Sequence, residues 1–203
     1  MTRSIGIMGG TFDPIHHGHL VAADAARHSF GLERVIFVPA SQPPHKGGRD
    51  ITPSGHRYQM TVLAAMTNPF FEVSRVELDR EGPSYTVDTI KHFRSLDPDC
   101  EFFFITGTDA ILEIRTWERY GELLDLCRFI AATRPGYGSG ALAGLEAELG
   151  SERMSRVHAL EVPALDISSS DIRERIRTGQ PVKYLLPETV ENYISKYRLY
   201  REN

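Results

Sequence analysis

Three histidines fall within four residues in the stretch "GGTFDPIHHGHL", residues 9 to 20, beside two glycines and an Asp-Pro pair. His16 and His19 stand about one helical turn apart. Both imidazoles can therefore face a single phosphate group, and Gly18 between them removes a side chain that would block its approach. Gly9 and Gly10 let the backbone come close to a ligand, Asp13-Pro14 stiffens the bend, and a helix starting next offers unpaired N–H groups with positive dipole character. The rival chemistry is a metal site. His16, His17 and His19 lack the i, i+4 pair usual on a metal-binding helix and no HExxH segment is present, so no metal is assigned to protein side chains.

A second segment has the same character. In "ISSSDIR", Ile167 to Arg173, the hydroxyls and N–H groups of Ser168, Ser169 and Ser170 form a helix start that can cradle phosphates, and Arg173 adds a forked, charge-assisted donor. "PASQPPHKGG" follows an apolar run, and its prolines fix a loop that presents His45 and Lys46. No GxxxxGK[ST] loop is present, which argues against a P-loop kinase or ATPase. "GYGSGA", Gly136 to Ala141, fits a dinucleotide-binding GxGxxA, but Arg134-Pro135 precedes its first glycine and it is not at the first βα turn, so it is read as a surface loop.

The elements that must position these residues follow from periodicity. Short apolar, β-rich runs recur at residues 4 to 8, 34 to 40, 101 to 106, 128 to 134 and 156 to 162. Helical segments alternate with them: "HLVAADAARHSFG", "TPSGHRYQMTVLAAMTN" and "SYTVDTIKHFRSL", the last with Val87, Ile90, Phe93 and Leu96 on one face. Strands buried on both sides and alternating with helices predict an α/β fold, a Rossmann-like, doubly wound, mostly parallel sheet with helices on both faces. Such sheets bind ligands beyond the carboxyl ends of their strands, where "GGTFDPIHHG" would lie as the first strand-to-helix turn. The stretch "RPGYGSGALAGLEAELGSER" reads as a mobile loop plus a short exposed helix.

With 203 residues, 41% hydrophobic and 25% charged, the chain is expected to form one domain over 1–203, its part from about 167 being a helical subregion. A net charge of -4 and no long Lys/Arg cluster argue against a nucleic-acid partner. No apolar run approaches the ~20 residues that cross a bilayer, and the first residues lack a signal-peptide pattern, so the expected location is cytoplasmic, without a membrane partner. Cys100 and Cys127 have neither CxxC spacing nor partners for a disulfide framework, and are expected to be inert thiols at strand edges.

The turn at Thr11, Phe12, Asp13, Pro14, His16, Gly18 and His19 resembles the TFDPxHxGH hallmark of the nucleotidylyltransferase superfamily, and "ISSSDIR" resembles its ISSTxIR segment, with Ser170 where Thr is commoner. "GPSYTVDTI", "FFFITGTDAI", "RTWERY" and "ATRPGY" are similar to segments of the bacterial nicotinate-nucleotide adenylyltransferase family, so the resemblance spans essentially the whole chain. It implies catalytic roles for His16, His19, Lys46 and Arg173. It implies ATP contacts at Gly9, Gly10, Thr11, Phe12, His16, Gly18, His19, His45, Lys46, Gly107, Asp109, Ile167, Ser168, Ser169 and Arg173. For the acceptor it implies Tyr85 and Thr86, whose segment meets a pyridine carboxylate, Trp117 stacked on the ring, and Arg134.

The implied reaction moves AMP from ATP, carried with Mg2+, to nicotinate mononucleotide. An acceptor that already carries a phosphate brings an ionised nucleophile and needs no general base, which fits the lack of an obvious catalytic carboxylate pair. Three alternatives stay open: nicotinamide mononucleotide as acceptor, another phosphorylated acceptor such as phosphopantetheine, and a non-enzymatic nucleotide-sensing module. Oligomeric state is not legible, a homodimer being one option.

Overall fold

The computed structural model describes residues 3–44, 51–133 and 142–201; His45, Lys46, Arg134 and the Gly136 to Ala141 loop lie outside them. In chain order the elements are β1 (Ser4–Gly10), α1 (His17–Ser29), β2 (Arg34–Pro39), α2 (Ser54–Ala65), β3 (Phe71–Val73), α3 (Thr86–Leu96), β4 (Glu101–Gly107) and α4 (Thr108–Leu112). A 3-10 turn at Ile114–Thr116 leads to α5 (Tyr120–Leu126) and β5 (Arg128–Thr133). Then come α6 (Ala143–Leu149), α7 (Ser151–Met154), β6 (Val157–Glu161), α8 (Ser169–Arg177) and α9 (Glu188–Tyr197).

The six strands form one all-parallel sheet in the order β3-β2-β1-β4-β5-β6. Alternate residues of each strand feed opposite cores, as the two-residue pleat requires. Ile5, Ile7, Phe102, Phe104 and Phe129 pack with Val87, Ile90 and Leu123 on one side. Met8, Val35, Phe37, Phe103 and Ile105 pack with Ala23, Met60, Ile172 and Val190 on the other. Helices α3 and α5 therefore cover one face, while α1, α2 and α9 cover the second. Each large apolar side chain so buried contributes about 1.5–3 kcal/mol.

Strand order reverses between β1 and β4, and the carboxyl ends of these two strands open a crevice there. Chain connectivity thus brings the β1–α1 turn, the end of β4 and the start of α8 to one edge.

Three details differ from the expectations. β3 pairs only three residues, Phe71 to Val73, against Val35 to Phe37, too short a run to carry a period of its own. On α3, Val87, Ile90 and Phe93 are buried but Leu96 is 69% exposed, because the helix ends there beyond the edge of the core. The helix expected to be exposed after the glycine-rich stretch anchors one face, with Leu142 and Leu145 in the α3-side core. Both cysteines precede strands and are buried. Desolvation pushes the Cys127 thiol up to about 12, which leaves it inert as a nucleophile.

Candidate active site

Between β1 and α1 the chain turns tightly: Phe12 takes a left-handed φ of 49° and the Asp13-Pro14 peptide is cis. His16 is extended and caps α1 at its N-terminus. Its backbone N–H donates to His19 Nδ1 at 3.2 Å, and the two imidazole centroids lie 3.8 Å apart. This contact assigns the proton of neutral His19 to Nε2. The His16 ring is 6% exposed and its Nδ1 has no hydrogen-bond partner among the described residues. Burial, aided by the charge of His17, holds the His16 pKa down to about 4. At neutral pH His16 is therefore an uncharged imidazole, able to act as a donor but not as a cation.

The facing wall is the start of α8. Ser168 caps that helix, its Oγ accepting the Asp171 N–H at 3.1 Å, and the Ser169 hydroxyl donates to the Pro14 carbonyl at 2.9 Å. Arg173 donates to the Asp13 carbonyl at 2.6 Å and to Ser170 Oγ at 3.4 Å. Ser169 and Arg173 thus grip the β1–α1 turn as well as shaping the cleft.

Between these walls lies a cleft of about 790 Å³, within the range of nucleotide-sized sites. Gly9, His16, Gly18, His19, Gly107, Asp109, Ile167, Ser168, Ser169 and Arg173 line it. Gly10, Thr11 and Phe12, expected as ATP contacts, do not. Phe12 is 2% exposed, with its ring edge-on to His19 at 5.1 Å and to Phe37 at 5.9 Å, so it backs the histidine from the core. The glycines answer to neighbouring rings as well. A Cβ on Gly9 would come within 3.0 Å of Phe104, one on Gly10 within 2.8 Å of Phe12, and one on Gly18 within 3.0 Å of His16.

The supports behind the turn belong to no motif that the sequence displays. Arg57, 1% exposed, donates to the carbonyls of Thr11 (2.7 Å), Ala40 (2.6 Å), Ser41 (3.2 Å) and Thr52 (2.7 Å). The Asp13 carboxylate accepts the Tyr200 hydroxyl at 2.7 Å and the Thr52 N–H at 3.3 Å. A signal for Arg57 existed: α2 buries Arg57, Met60, Thr61, Ala64 and Ala65, so this arginine occupies the apolar stripe of its helix. Nothing local pointed to Tyr200, which reaches Asp13 across 187 residues.

Of the residues expected at the acceptor, the three that are described, Tyr85, Thr86 and Trp117, lie elsewhere. Tyr85 caps α3, Thr86 is its first residue, and Trp117 closes the 3-10 turn. Half-buried Trp117 meets Phe104 edge-on at 5.7 Å, and Tyr85 packs against the same core. Phe104 thereby links this group to the strand end at Gly9. An ion pair between Arg119 and Asp88 joins the segment after Trp117 to the first turn of α3. Tyr85, Thr86 and Trp117 do not line the 790 Å³ cleft. Among the described residues no group of three or more His, Cys, Asp or Glu could hold a metal ion, and no helix is long and apolar enough to cross a membrane.

A turn bearing paired histidines at a βα switch point, faced by a serine-rich helix start, defines a nucleotidyl-transfer type of site. Residues 7–175 match the Cytidylyltransferase-like family model. The chain is 57% identical over 198 residues, 97% of its length and 91% of the relative's, to a "Probable nicotinate-nucleotide adenylyltransferase" of Moorella thermoacetica. It is 55% identical over 203 residues, 98% and 95% of the two chains, to one so named from Thermoanaerobacter sp.. The chain belongs to the cytidylyltransferase-like family and, within it, to the nicotinate-nucleotide adenylyltransferases. The solved Plasmodium falciparum nicotinic acid mononucleotide adenylyltransferase complexed with NaAD shares the fold, with a TM-score of 0.78 at 22% identity over 98% of this chain and 97% of that one.

The depressed pKa of His16 makes stability depend on pH. Between about 4 and the ordinary histidine value near 6.5, the unfolded chain binds a proton that the folded one refuses, so stability rises with pH across this window and levels off above it. Replacing His16 with Gln removes this contribution. In urea denaturation at pH 4.5, 5.5 and 7, the stability of wild type relative to His16→Gln is expected to rise with pH by up to about 1.4 kcal/mol per unit below 6.5. A difference independent of pH contradicts a buried neutral His16.

Proposed function

We propose that this protein transfers AMP from ATP to nicotinate mononucleotide, giving nicotinate adenine dinucleotide and pyrophosphate in NAD biosynthesis. The single observation that carries the mechanism is the cleft at the β1/β4 switch point, where neutral His16 and its neighbour His19 face the start of α8 and Arg173. The choice of acceptor is supported by the names of relatives that match this chain over nearly its whole length. We place the reaction in the cytoplasm.

One oxygen of the acceptor phosphate attacks the ATP α-phosphorus in line, the bond to the bridging α–β oxygen breaks, and pyrophosphate leaves with its electron pair. The nucleophile is already ionised, so no side chain has to remove a proton. The protein has to align the two phosphates and to meet developing charge with fixed donors. Alignment supplies about 7–11 kcal/mol of the barrier reduction. A neutral imidazole at His16 suits the role of fixed donor, since it gives a hydrogen bond to a phosphate without needing a proton from solvent at neutral pH, and His19 stands beside it as the second donor. Arg173 and the N–H groups opening α8 supply the charge-assisted part, and the Ser168 hydroxyl, which accepts from Asp171, keeps its own proton for a phosphate oxygen. His45 and Lys46 are assigned to the triphosphate, and Arg134 to the acceptor nucleotide, by family resemblance. The substrate is MgATP. Among the described residues Asp109 is the one carboxylate lining the cleft, so the ion carried by ATP would be held mainly by phosphate oxygens and water rather than by the protein. Tyr85, Thr86 and Trp117 form the acceptor side, where the indole face suits an electron-poor pyridinium at about 0.5–2 kcal/mol.

Pyrophosphate release from MgATP is the test, with nicotinate mononucleotide, nicotinamide mononucleotide and phosphopantetheine supplied separately. Release driven mainly by nicotinate mononucleotide is expected. Preference for another acceptor overturns the substrate assignment, and silence with all three overturns the enzyme reading. In the same assay His19→Ala is expected to fold and bind acceptor while kcat falls roughly 10²–10³-fold, the cost of removing one transition-state donor. Undiminished kcat overturns that role.

A further inference from the structure

Glu77 precedes the acceptor segment in sequence and lies beneath it, 6% exposed. Its Oε1 accepts the Thr89 hydroxyl at 2.6 Å, and the Ser84 hydroxyl lies near enough to favour its ionised form. Ser84 Oγ in turn accepts two backbone N–H groups, from Ser41 at 2.9 Å and Gln42 at 3.2 Å. The Ser84 N–H donates back to the Gln42 carbonyl at 3.0 Å.

Hydrogen-bond arithmetic constrains this cluster. A hydroxyl oxygen has two lone pairs and one proton, and both lone pairs of Ser84 are taken by backbone donors. Its proton is therefore free to be given away, and Glu77 is the buried carboxyl group beside it. Thr89 Oγ1 accepts from Arg80 at 3.3 Å, and of its two possible acceptors Glu77 at 2.6 Å is far closer than the Tyr85 carbonyl at 3.5 Å, so its proton goes to Glu77. Two hydroxyls point their protons at one buried group, which has to be an acceptor. Burial opposes ionisation of Glu77, while these hydroxyls and the nearby charges of Arg80 and Arg57 favour it.

The peptide unit at Ser41 is held from both sides: Ser84 takes its N–H, and Arg57, which also holds Thr11 of the β1–α1 turn, takes its carbonyl. A continuous path thus runs from Thr11 through Arg57, Ser41 and Ser84 to Tyr85 and Thr86. We propose that Glu77 is a positioning residue for the acceptor: by receiving the Ser84 proton it locks Ser84 onto the loop after β2 and so sets where the Tyr85–Thr86 segment stands relative to the histidine turn. This inference rests on the assignment of nicotinate mononucleotide to that segment. Glu77 does not line the cleft, so it acts on the acceptor segment through Ser84 and Thr89.

The test is a double-mutant cycle on steady-state kinetics, with Glu77→Gln, Ser84→Ala and the double variant assayed in pyrophosphate release well below their melting temperatures. Each single variant is expected to raise the KM for nicotinate mononucleotide about tenfold, the effect of losing one hydrogen bond to a buried carboxyl group, with the KM for MgATP changed less than about twofold. The double variant is expected to be little worse than either single one, because both changes cut the same link. Should Glu77→Gln fail to fold, Ser84→Ala alone carries the split between the two KM values. Multiplying effects in the double variant, equal loss for both substrates, or unchanged acceptor KM overturns the proposal while the wild-type reaction stands. A wild type silent with every acceptor overturns the functional reading and this inference together.

Discussion

A single buried guanidinium holds the working edge of this protein together. Arg57 projects from α2 beneath the strand ends and gathers carbonyls from the turn after β1, from the loop after β2 and from Thr52. Loop backbone cannot satisfy its carbonyls by laddering as strands do, and a buried carbonyl without a partner costs about 1–3 kcal/mol. Four such groups converge on one side chain. Burial alone would weaken its charge, and the Asp13 carboxylate is the largest opposing influence. Asp13 is itself held by Tyr200 and Thr52, and its carbonyl by Arg173, so the turn that presents the histidines is gripped by α2, α8 and the last residues described.

Among the described residues, the walls of the cleft carry little charge for a site that faces highly charged substrates. The cleft lines its strand-end side with the neutral imidazole of His16 beside His19 and concentrates cationic character at Arg173 and the start of α8. Fixed dipoles of this kind need no reorganisation as charge moves from the acceptor to pyrophosphate, which is the advantage of a preorganised site over water. The packing that fixes them is aromatic: Phe12 backs His19, and Phe104 backs both Gly9 and Trp117.

Much of the architecture is legible in the sequence because its signals are local. Continuous apolar runs mark five strands, and alternation with helices implies the parallel order that the sheet adopts. The three-residue β3 has no room for a pattern. At the site, the histidine turn and the "ISSSDIR" segment are visible as motifs, and the structure brings them together across some 150 residues. Phe12 shows what motif reading leaves out: its buried side chain backs His19 from the core, a packing role that its place inside a hallmark does not reveal. Arg57 is legible in principle from its place in an apolar stripe. Tyr200, Glu77 and Ser84 are not, since each matters through a partner whose nearness only the folded chain creates.

The central claim is that one in-line displacement, assisted by positioned donors and by no covalent intermediate, moves AMP between two phosphates. The most direct measurement is the stereochemical course at the α-phosphorus, using ATP made chiral there by sulfur substitution and nicotinate mononucleotide as acceptor. A single displacement predicts inversion of configuration in the dinucleotide product. Retention would require two displacements through an adenylylated side chain, and would contradict the account.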